Sequence, residues 1–357
     1  MLTQGSERLD LGVMMSLVEQ IAQLHLSGLE MLLVSSGAVA AGRQVLGVPK
    51  GSVNVPFKQV LAAAGQGRLI HEYEQLFERH RIPVAQALLS RKDLADRLGY
   101  LNIRNTLLAL LDMRVVPIIN ENDVVAVDEL AGGVFGDNDN LSAMVANLID
   151  ADLLVMLGEV DGLFTADPNI DPGAKLIQVV DHTDEEVEAL AGASWGGTGQ
   201  GGMATKIEAA KLATASGVRV VIAKGTEPDV LGRLSRGERI GSLFQATSTK
   251  MESRKRWMRS GLSTRGKIVV DEGASRAMLR RHASLLPAGV RDVQGAFDRG
   301  DIVAVLDGES RQIAAGITNY GFAELAGIKG VRSDRIEEIL GHHYGDEVIH
   351  RNNMVVV

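Results

Sequence analysis

The 357-residue chain has no cysteine, so a disulfide framework and a thiolate nucleophile are both excluded. That suits a reducing compartment, and a cytoplasmic location is the natural expectation. Aromatic residues amount to 4%, and Ala, Gly, Val and Leu fill the apolar share instead. An aromatic-cored all-β protein is thereby disfavoured, and tightly packed helix-on-sheet layers are favoured. No apolar run approaches the roughly 18 residues of a membrane span. Glu7 and Asp10 interrupt the stretch where a signal peptide would lie. A basic excess is also missing. The formal net charge is −8, which argues against broad nucleic-acid affinity. An anionic substrate would have to find local cations, helix N-termini or a metal to offset that field.

What is present reads as two domains. Apolar residues make up 45% of the chain, enough for sizeable cores. Leu9, Val13, Leu17, Ile21 and Leu24 recur about every four residues, one face of a helix that ends near Ser27-Gly28. Met31 to Val34 reads as a short buried strand, followed by a small-residue turn and an Ala-rich helix. The alternation then repeats. "HRIPVAQALL", "VVPIINEND", "DLLVMLGEVDGLF" and "VRVVIAKG" read as strands, and "NIRNTLLALLD", "NLSAMVANLIDA" and "TKIEAAKLATASG" as helices. This is the pattern of an α/β fold, a mostly parallel sheet sandwiched by helices, with ligands at the carboxyl ends of the strands. Near residue 245 the texture changes to polar and charged, and after Ser260 it becomes short Gly- and Asp-punctuated β pieces. We expect an α/β domain over 1–245, a linker over 246–261 and a small β-rich domain over 262–357.

Four turns could carry chemistry. "SSGAVAAG" (35–42) offers hydroxyls and amides at a helix start, where a carboxylate or phosphate can sit; it also fits a plain tight turn. "INENDVV" and "FGDNDNLSA" bring Glu121, Asp123, Asp137 and Asp139 together with Asn120, Asn122, Asn138 and Asn140. Carboxylates pair with ammonium groups and Asn amides grip carboxylates, so the set suits an amino acid. A calcium loop is excluded, because Leu148 stands where an acidic twelfth ligand is required. Simple helix capping by Asp137 or Asn138 is compatible with binding. "GGTGQGGMATK" (196–206) is not a Walker A loop, since Thr205 precedes Lys206 with no Gly before the Lys. Its glycines still let backbone approach phosphates, and Lys206 supplies a point charge on a first helical turn; a flexible surface loop would look similar. "GEVDGLFTADP" (158–168) reads as an ordered turn after a buried strand.

These segments, with "KQVLAAAGQGRL", "SRKRW" and "VDEGASRAMLRRHASLLPAGV", resemble the bacterial glutamate 5-kinases of the amino acid kinase superfamily along the whole chain. The last segment resembles the PUA domain that many of these enzymes carry. The resemblance implies an enzyme that phosphorylates the γ-carboxylate of L-glutamate from ATP with Mg²⁺. It also implies feedback control by proline, the end product of that route. It places Ser36 and Asn138 at glutamate-binding positions and Asp123 at the position that holds the α-ammonium. Asp139 falls on a residue that organises catalytic lysines, and Lys206 on one of those lysines. Gln200, Gly201, Gly202, Met203, Ala204, Thr205 and Lys206 cover the nucleotide loop. Gly158 and Glu159 stand where the family has Thr-Asp: the charge is kept at longer reach and a hydroxyl is lost. Protein metal ligands are not implied, and a homo-oligomer is.

A carboxylate attacking a phosphate is already ionised at pH 7, so no general base is needed and catalysis reduces to positioning and charge neutralisation. The rivals are another amino acid kinase, acting on acetylglutamate or aspartate, or an RNA-binding or regulatory pseudo-kinase acting through the second domain. From Leu262 to Val357 there are 12 Lys/Arg and 13 Asp/Glu, so RNA is not an expected partner. The family supplies a second lysine from a first strand resembling "V-V-K-x-G-S-S-x-L-T", and "MLTQGS" resembles the end of that stretch. We therefore expect the natural polypeptide to start upstream, with Met1 read from a valine codon. The in-frame DNA before Met1 tests this: a stop codon within about fifteen codons and no Lys-x-Gly-Ser would overturn it.

Overall fold

The computed structural model describes residues 2, 9–49, 54–125, 138–168, 170–192, 202–250 and 264–356. Most of the expected linker, the loop from Ala126 to Asp137 and Gln200-Gly201 lie outside the described residues. The chain divides into two compact units, Met1–Ala95 with Ile103–Thr249, and Asp96–Asn102 with Lys250–Val357.

In the first unit, α1 (Leu11–Leu26) begins at Asp10, whose carboxylate accepts from Gly12 N at 2.9 Å and Val13 N at 3.1 Å. This satisfies two of the donors a helix start leaves open. Its apolar stripe, Met14, Leu17, Val18 and Ile21, is buried. β1 (Leu33–Val34) leads into α2 (Ala38–Leu46), and Asn54 caps α3 (Val55–Glu78). β2 (Val84–Leu89), α4 (Arg91–Ala95), α5 (Arg97–Asp112, of which the part from Ile103 belongs to this unit), β3 (Val116–Glu121), α6 (Asn138–Leu148) and β4 (Leu153–Gly158) follow. Then come β5 (Val179–Val180), α7 (Glu185–Gly192), α8 (Met203–Ala215), β6 (Arg219–Lys224), α9 (Val230–Ser235) and β7 (Ser242–Phe244). Among the described residues no helix is long and apolar enough to cross a membrane.

Among the described residues the strands of this unit assort into two ladders. β1-β3-β2 is wholly parallel; β4-β6-β7-β5 is parallel except where β7 meets β6. β1 is two residues long and pairs with β3, so the first ladder ends there among the described residues. Side-chain packing carries the fold across that boundary. α6 touches β1, β3 and β4, and Leu157 of β4 packs into the core that holds Leu33 and Ile118. From α1, Gln20 Oε1 accepts from Leu231 N of α9 at 3.0 Å. Val116 to Asn120, the buried run read from "VVPIIN", form the middle strand of the first sheet.

α2 and α3 pack backbone to backbone. A Cβ on Gly42 would fall 1.8 Å from Leu61 O, and one on Gly65 would fall 1.9 Å from Ala38 O. The glycines are therefore required by the contact itself. This fixes the start of α2, and with it the turn after β1, against the middle of α3.

The second unit holds β8 (Gly266–Val270), α10 (Glu272–Arg281), β9 (Val290–Gly295), β10 (Ile302–Leu306), β11 (Gln312–Ile317), α11 (Phe322–Ile328), α12 (Ile336–Leu340) and β12 (Met354–Val356). The sheet order is β12-β11-β10-β8-β9. Ile268, Val270, Val303, Val305 and Ala314 meet Met278, Leu325 and Ile328 of the helices in one core. Tyr320 is buried there, with its hydroxyl donating to Gly345 O at 2.6 Å. The β-rich reading of this region holds.

The α2–α3 contact yields a test. Gly65→Ala should cost about 1–3 kcal/mol, the usual range for overpacking. Gly67→Ala on the same helix meets nothing within 4 Å. It should gain about 0.5–1 kcal/mol from the better helix former. Urea denaturation midpoints decide, and equal stability of the two variants would refute backbone contact as the reason for Gly65.

Candidate active site

The site is built where three helices begin. The turn Ser35-Ser36-Gly37 ends β1 and opens α2. Gly37, at φ 113°, takes the left-handed conformation that the reversal needs. Ser35 is buried and Ser36 exposed. Ser35 Oγ donates to Ser36 O at 3.0 Å and lies 2.8 Å from Tyr73 Oη. With the serine proton committed to Ser36 O, the Tyr73 hydroxyl is the donor in the second bond.

α6 begins at Asn138 and is joined to that turn directly. Asn138 Nδ2 donates to Ser35 O at 2.9 Å and to Asn120 Oδ1 at 3.1 Å. Asn120, at the end of β3, is itself held: its Oδ1 accepts from Glu121 N at 2.9 Å, and its Nδ2 donates to Gln66 Oε1 at 2.7 Å. Because both neighbours of Asn138 Nδ2 are acceptors, the amide cannot flip without loss. Asn138 Oδ1 is then left buried with no partner among the described residues. A buried acceptor left without a donor costs about 1–3 kcal/mol, which makes this oxygen a candidate acceptor for an N–H donor.

One residue on, Asp139 ties the start of α6 to the start of α8. Lys206 Nζ lies 2.9 Å from Asp139 Oδ1 and 2.8 Å from Oδ2, with side-chain exposures of 12% and 17%. Thr205 Oγ1 stands 3.0 Å from Asp139 Oδ2 and 2.8 Å from Gly202 O, and its one proton is shared between them. The N-termini of α2, α6 and α8 are thus linked through Asn138 and Asp139. Each helix start carries about half a positive charge and free N–H groups, so their convergence favours anions.

The other expected residues fall around this centre. Gly158 ends β4, and a Cβ there would meet Lys206 Cε at 3.2 Å. Glu159 follows it and is exposed. Asp123 is half-buried in the turn after β3, where Gln59 Nε2 donates to Val124 O at 3.3 Å. Gly202, Met203, Ala204 and Thr205 form the start of α8, while Gln200 and Gly201 lie outside the described residues. No group of three His, Asp or Glu side chains among the described residues is placed to hold a metal.

Sequence reasoning singled out neither Tyr73 nor Gln66, and gave Asn120 no role of its own. Gln59, Gln66 and Tyr73 are seven residues apart, about two helical turns, and each bonds to a different part of the site. That spacing was the available signal: a polar stripe of period seven along one helix.

Residues 1–224 match the Amino acid kinase family, and residues 266–340 match the PUA domain. The chain is 52% identical over 357 residues to a curated Glutamate 5-kinase of Dehalococcoides mccartyi, covering 100% of this chain and 96% of that relative. It is 52% identical over 354 residues to the Glutamate 5-kinase of Herpetosiphon aurantiacus, with 99% and 95% covered. To that of an Enterobacter species it is 47% identical over 355 residues, with 99% and 96% covered.

Burial pushes the Tyr73 phenol up to about 12 from 10.0. The raised value means the folded protein keeps a proton that the unfolded chain releases near pH 10. Tyr73 therefore contributes stability in full below pH 10, and loses about 2–3 kcal/mol of it as pH rises toward 12. Tyr73→Phe should flatten that alkaline fall in the denaturation midpoint. An equally steep fall in the variant would refute the assignment.

Proposed function

The chain belongs to the amino acid kinase family, and from that premise we propose that it transfers the γ-phosphoryl group of ATP to the side-chain carboxylate of L-glutamate. The products are glutamyl 5-phosphate and ADP, and the reaction opens the route to proline. The observation that carries the reading at the site is the meeting of three helix N-termini and Lys206 around Asn138 and Asp139. The relatives match the whole chain, so a different amino acid kinase or an RNA-binding pseudo-kinase is not favoured.

The chemistry needs such a place. A carboxylate oxygen forms a bond to the γ-phosphorus while the bond to the β-phosphate oxygen breaks, and ADP leaves with the electron pair. Two anions must approach. At 4 Å and an effective dielectric near 20, each unit-charge repulsion is about 4 kcal/mol. Lys206, set by Asp139, is the cation for the moving phosphoryl group, and the helix N-termini add partial charge that needs no reorganisation. Asn138 Oδ1, an acceptor with no partner among the described residues, is suited to the ammonium of the amino acid, together with Asp123. Ser36 in the turn before α2 offers a hydroxyl and an amide to a carboxylate. The start of α8, with Gly158 and Glu159 beyond it, takes the nucleotide. Mg²⁺ bound to ATP would supply further neutralisation of the phosphate charge.

Inhibition by proline, homo-oligomerisation, action in the cytoplasm and a boundary at 246–261 between the two domains belong to the same proposal. ADP release measured with glutamate, N-acetylglutamate and aspartate tests the main reading. Turnover confined to glutamate supports it; turnover with another acceptor and not glutamate overturns it. Added proline in that assay should lower the rate. Lys206→Met should lower kcat by about 10²–10³-fold, as loss of one charge-stabilising group does.

A further inference from the structure

The ladder beside Gly158 brings up a second ammonium group that no motif singled out. β4 and β6 are parallel and in register, with Gly158 opposite Lys224. Facing residues of such a pair put their side chains on the same side of the sheet. The alternation along the strands tells which side. Met156 of β4 and Val220 and Ile222 of β6 pack in the core with Ile207 and Ala210 of α8. Val221 and Ala223 pack on the opposite side, with Val230 of α9. Two residues beyond Ile222, Lys224 stands on the α8 side at the carboxyl end of its strand. Two residues beyond Met156, Gly158 faces the same way, and the 3.2 Å from its would-be Cβ to Lys206 Cε points in that direction too. Lys206 and Lys224 therefore flank a residue with no side chain, on one face of the sheet.

The two ammonium groups differ in how their charge is committed. Lys206 is held by both oxygens of Asp139 and is 12% exposed. Lys224 is 42% exposed, with Asp161 Oδ1 3.9 Å away and 58% exposed. A solvent-exposed pair at that distance holds weakly, and the flexible four-carbon stem lets the ammonium group turn to a stronger anion. The backbone beneath it is fixed: Gly225 N donates to Gly158 O at 2.9 Å, and Glu227 N to Lys224 O at 3.2 Å.

We propose that Lys224 is a phosphate-binding residue of the nucleotide site. Its ammonium group leaves Asp161 and pairs with a phosphate oxygen of ATP lying over Gly158, opposite Lys206. Gly158, where the expected family residue carries a hydroxyl side chain, leaves room for the Lys206 stem, whose Cε lies 3.2 Å from where a Cβ would be. The assignment rests on the kinase reading above.

The test compares the full chain with Lys224→Ala, Lys224→Arg and Asp161→Asn. ATP and glutamate are each varied with the other saturating, and binding of the ATP analogue AMP-PNP with Mg²⁺ is titrated by calorimetry. Loss of one charge-assisted bond corresponds to about 10- to 100-fold in affinity. Lys224→Ala should raise KM for ATP and weaken AMP-PNP binding by about that factor, with KM for glutamate unmoved. Lys224→Arg should restore most of the loss, and Asp161→Asn should leave KM for ATP equal or lower. ATP KM and AMP-PNP affinity within twofold of the parent in Lys224→Ala would overturn the assignment. So would an equal rise in KM for glutamate, the mark of a structural role. A parent chain that binds AMP-PNP but does not phosphorylate glutamate counts against the kinase reading alone, and the titration still decides on Lys224.

Discussion

The ion pair between Lys206 and Asp139 is held in place because Asp139 comes directly after Asn138 at the start of α6. Two adjacent side chains on one helical turn point to different neighbours. Asn138 takes the turn between β1 and α2, and Asp139 takes the start of α8. No sheet hydrogen bond joins those two regions among the described residues, since β1 and β4 belong to different ladders. The short segment Asn138-Asp139 therefore registers the turn before α2 against the start of α8. Displacing α6 would separate them even with every strand intact.

The same pair explains how a chain of net charge −8 can host two anions. Bulk charge is a poor guide where the field is set within a few ångströms. Three helix starts, one paired lysine and a row of backbone amides make a local positive region without a basic surface. Asp139 fixes Lys206 and Thr205, so its negative charge shapes the cationic side chain's position more than it opposes the substrate.

The elements were largely legible because their signals are local. The buried run of β3, the stripe of α1 and the β-rich texture of the second unit follow from periodicity and turn residues. The division into two ladders was not legible, because it depends on how far β1 pairs. The polar turns were legible as chemistry, since Asn, Asp, Ser and Gly cluster there for few other reasons. Their supports were harder to see. Tyr73 and Gln66 lie about 40 and 50 residues from the groups they hold, and their meaning appears only when α3 is laid against β1 and β3. Gly158 read in the sequence as a lost hydroxyl. In the fold it is the bare backbone over which Lys206 lies, a property of two segments far apart in the chain.

α3 spans 24 residues, about 36 Å at the helical rise, and makes its polar contacts to the site from Gln59, Gln66 and Tyr73. Those contacts are about 10.5 Å apart along the axis. The helix acts as a ruler whose graduations are residue counts. Substitutions on its outer face leave the graduations where they are. An inserted or deleted residue between Gln59 and Tyr73 does not, because it turns one end against the other by about 100° and shifts it by about 1.5 Å. The segment from Gln59 to Tyr73 should therefore vary in spelling but not in length, in contrast to a surface loop.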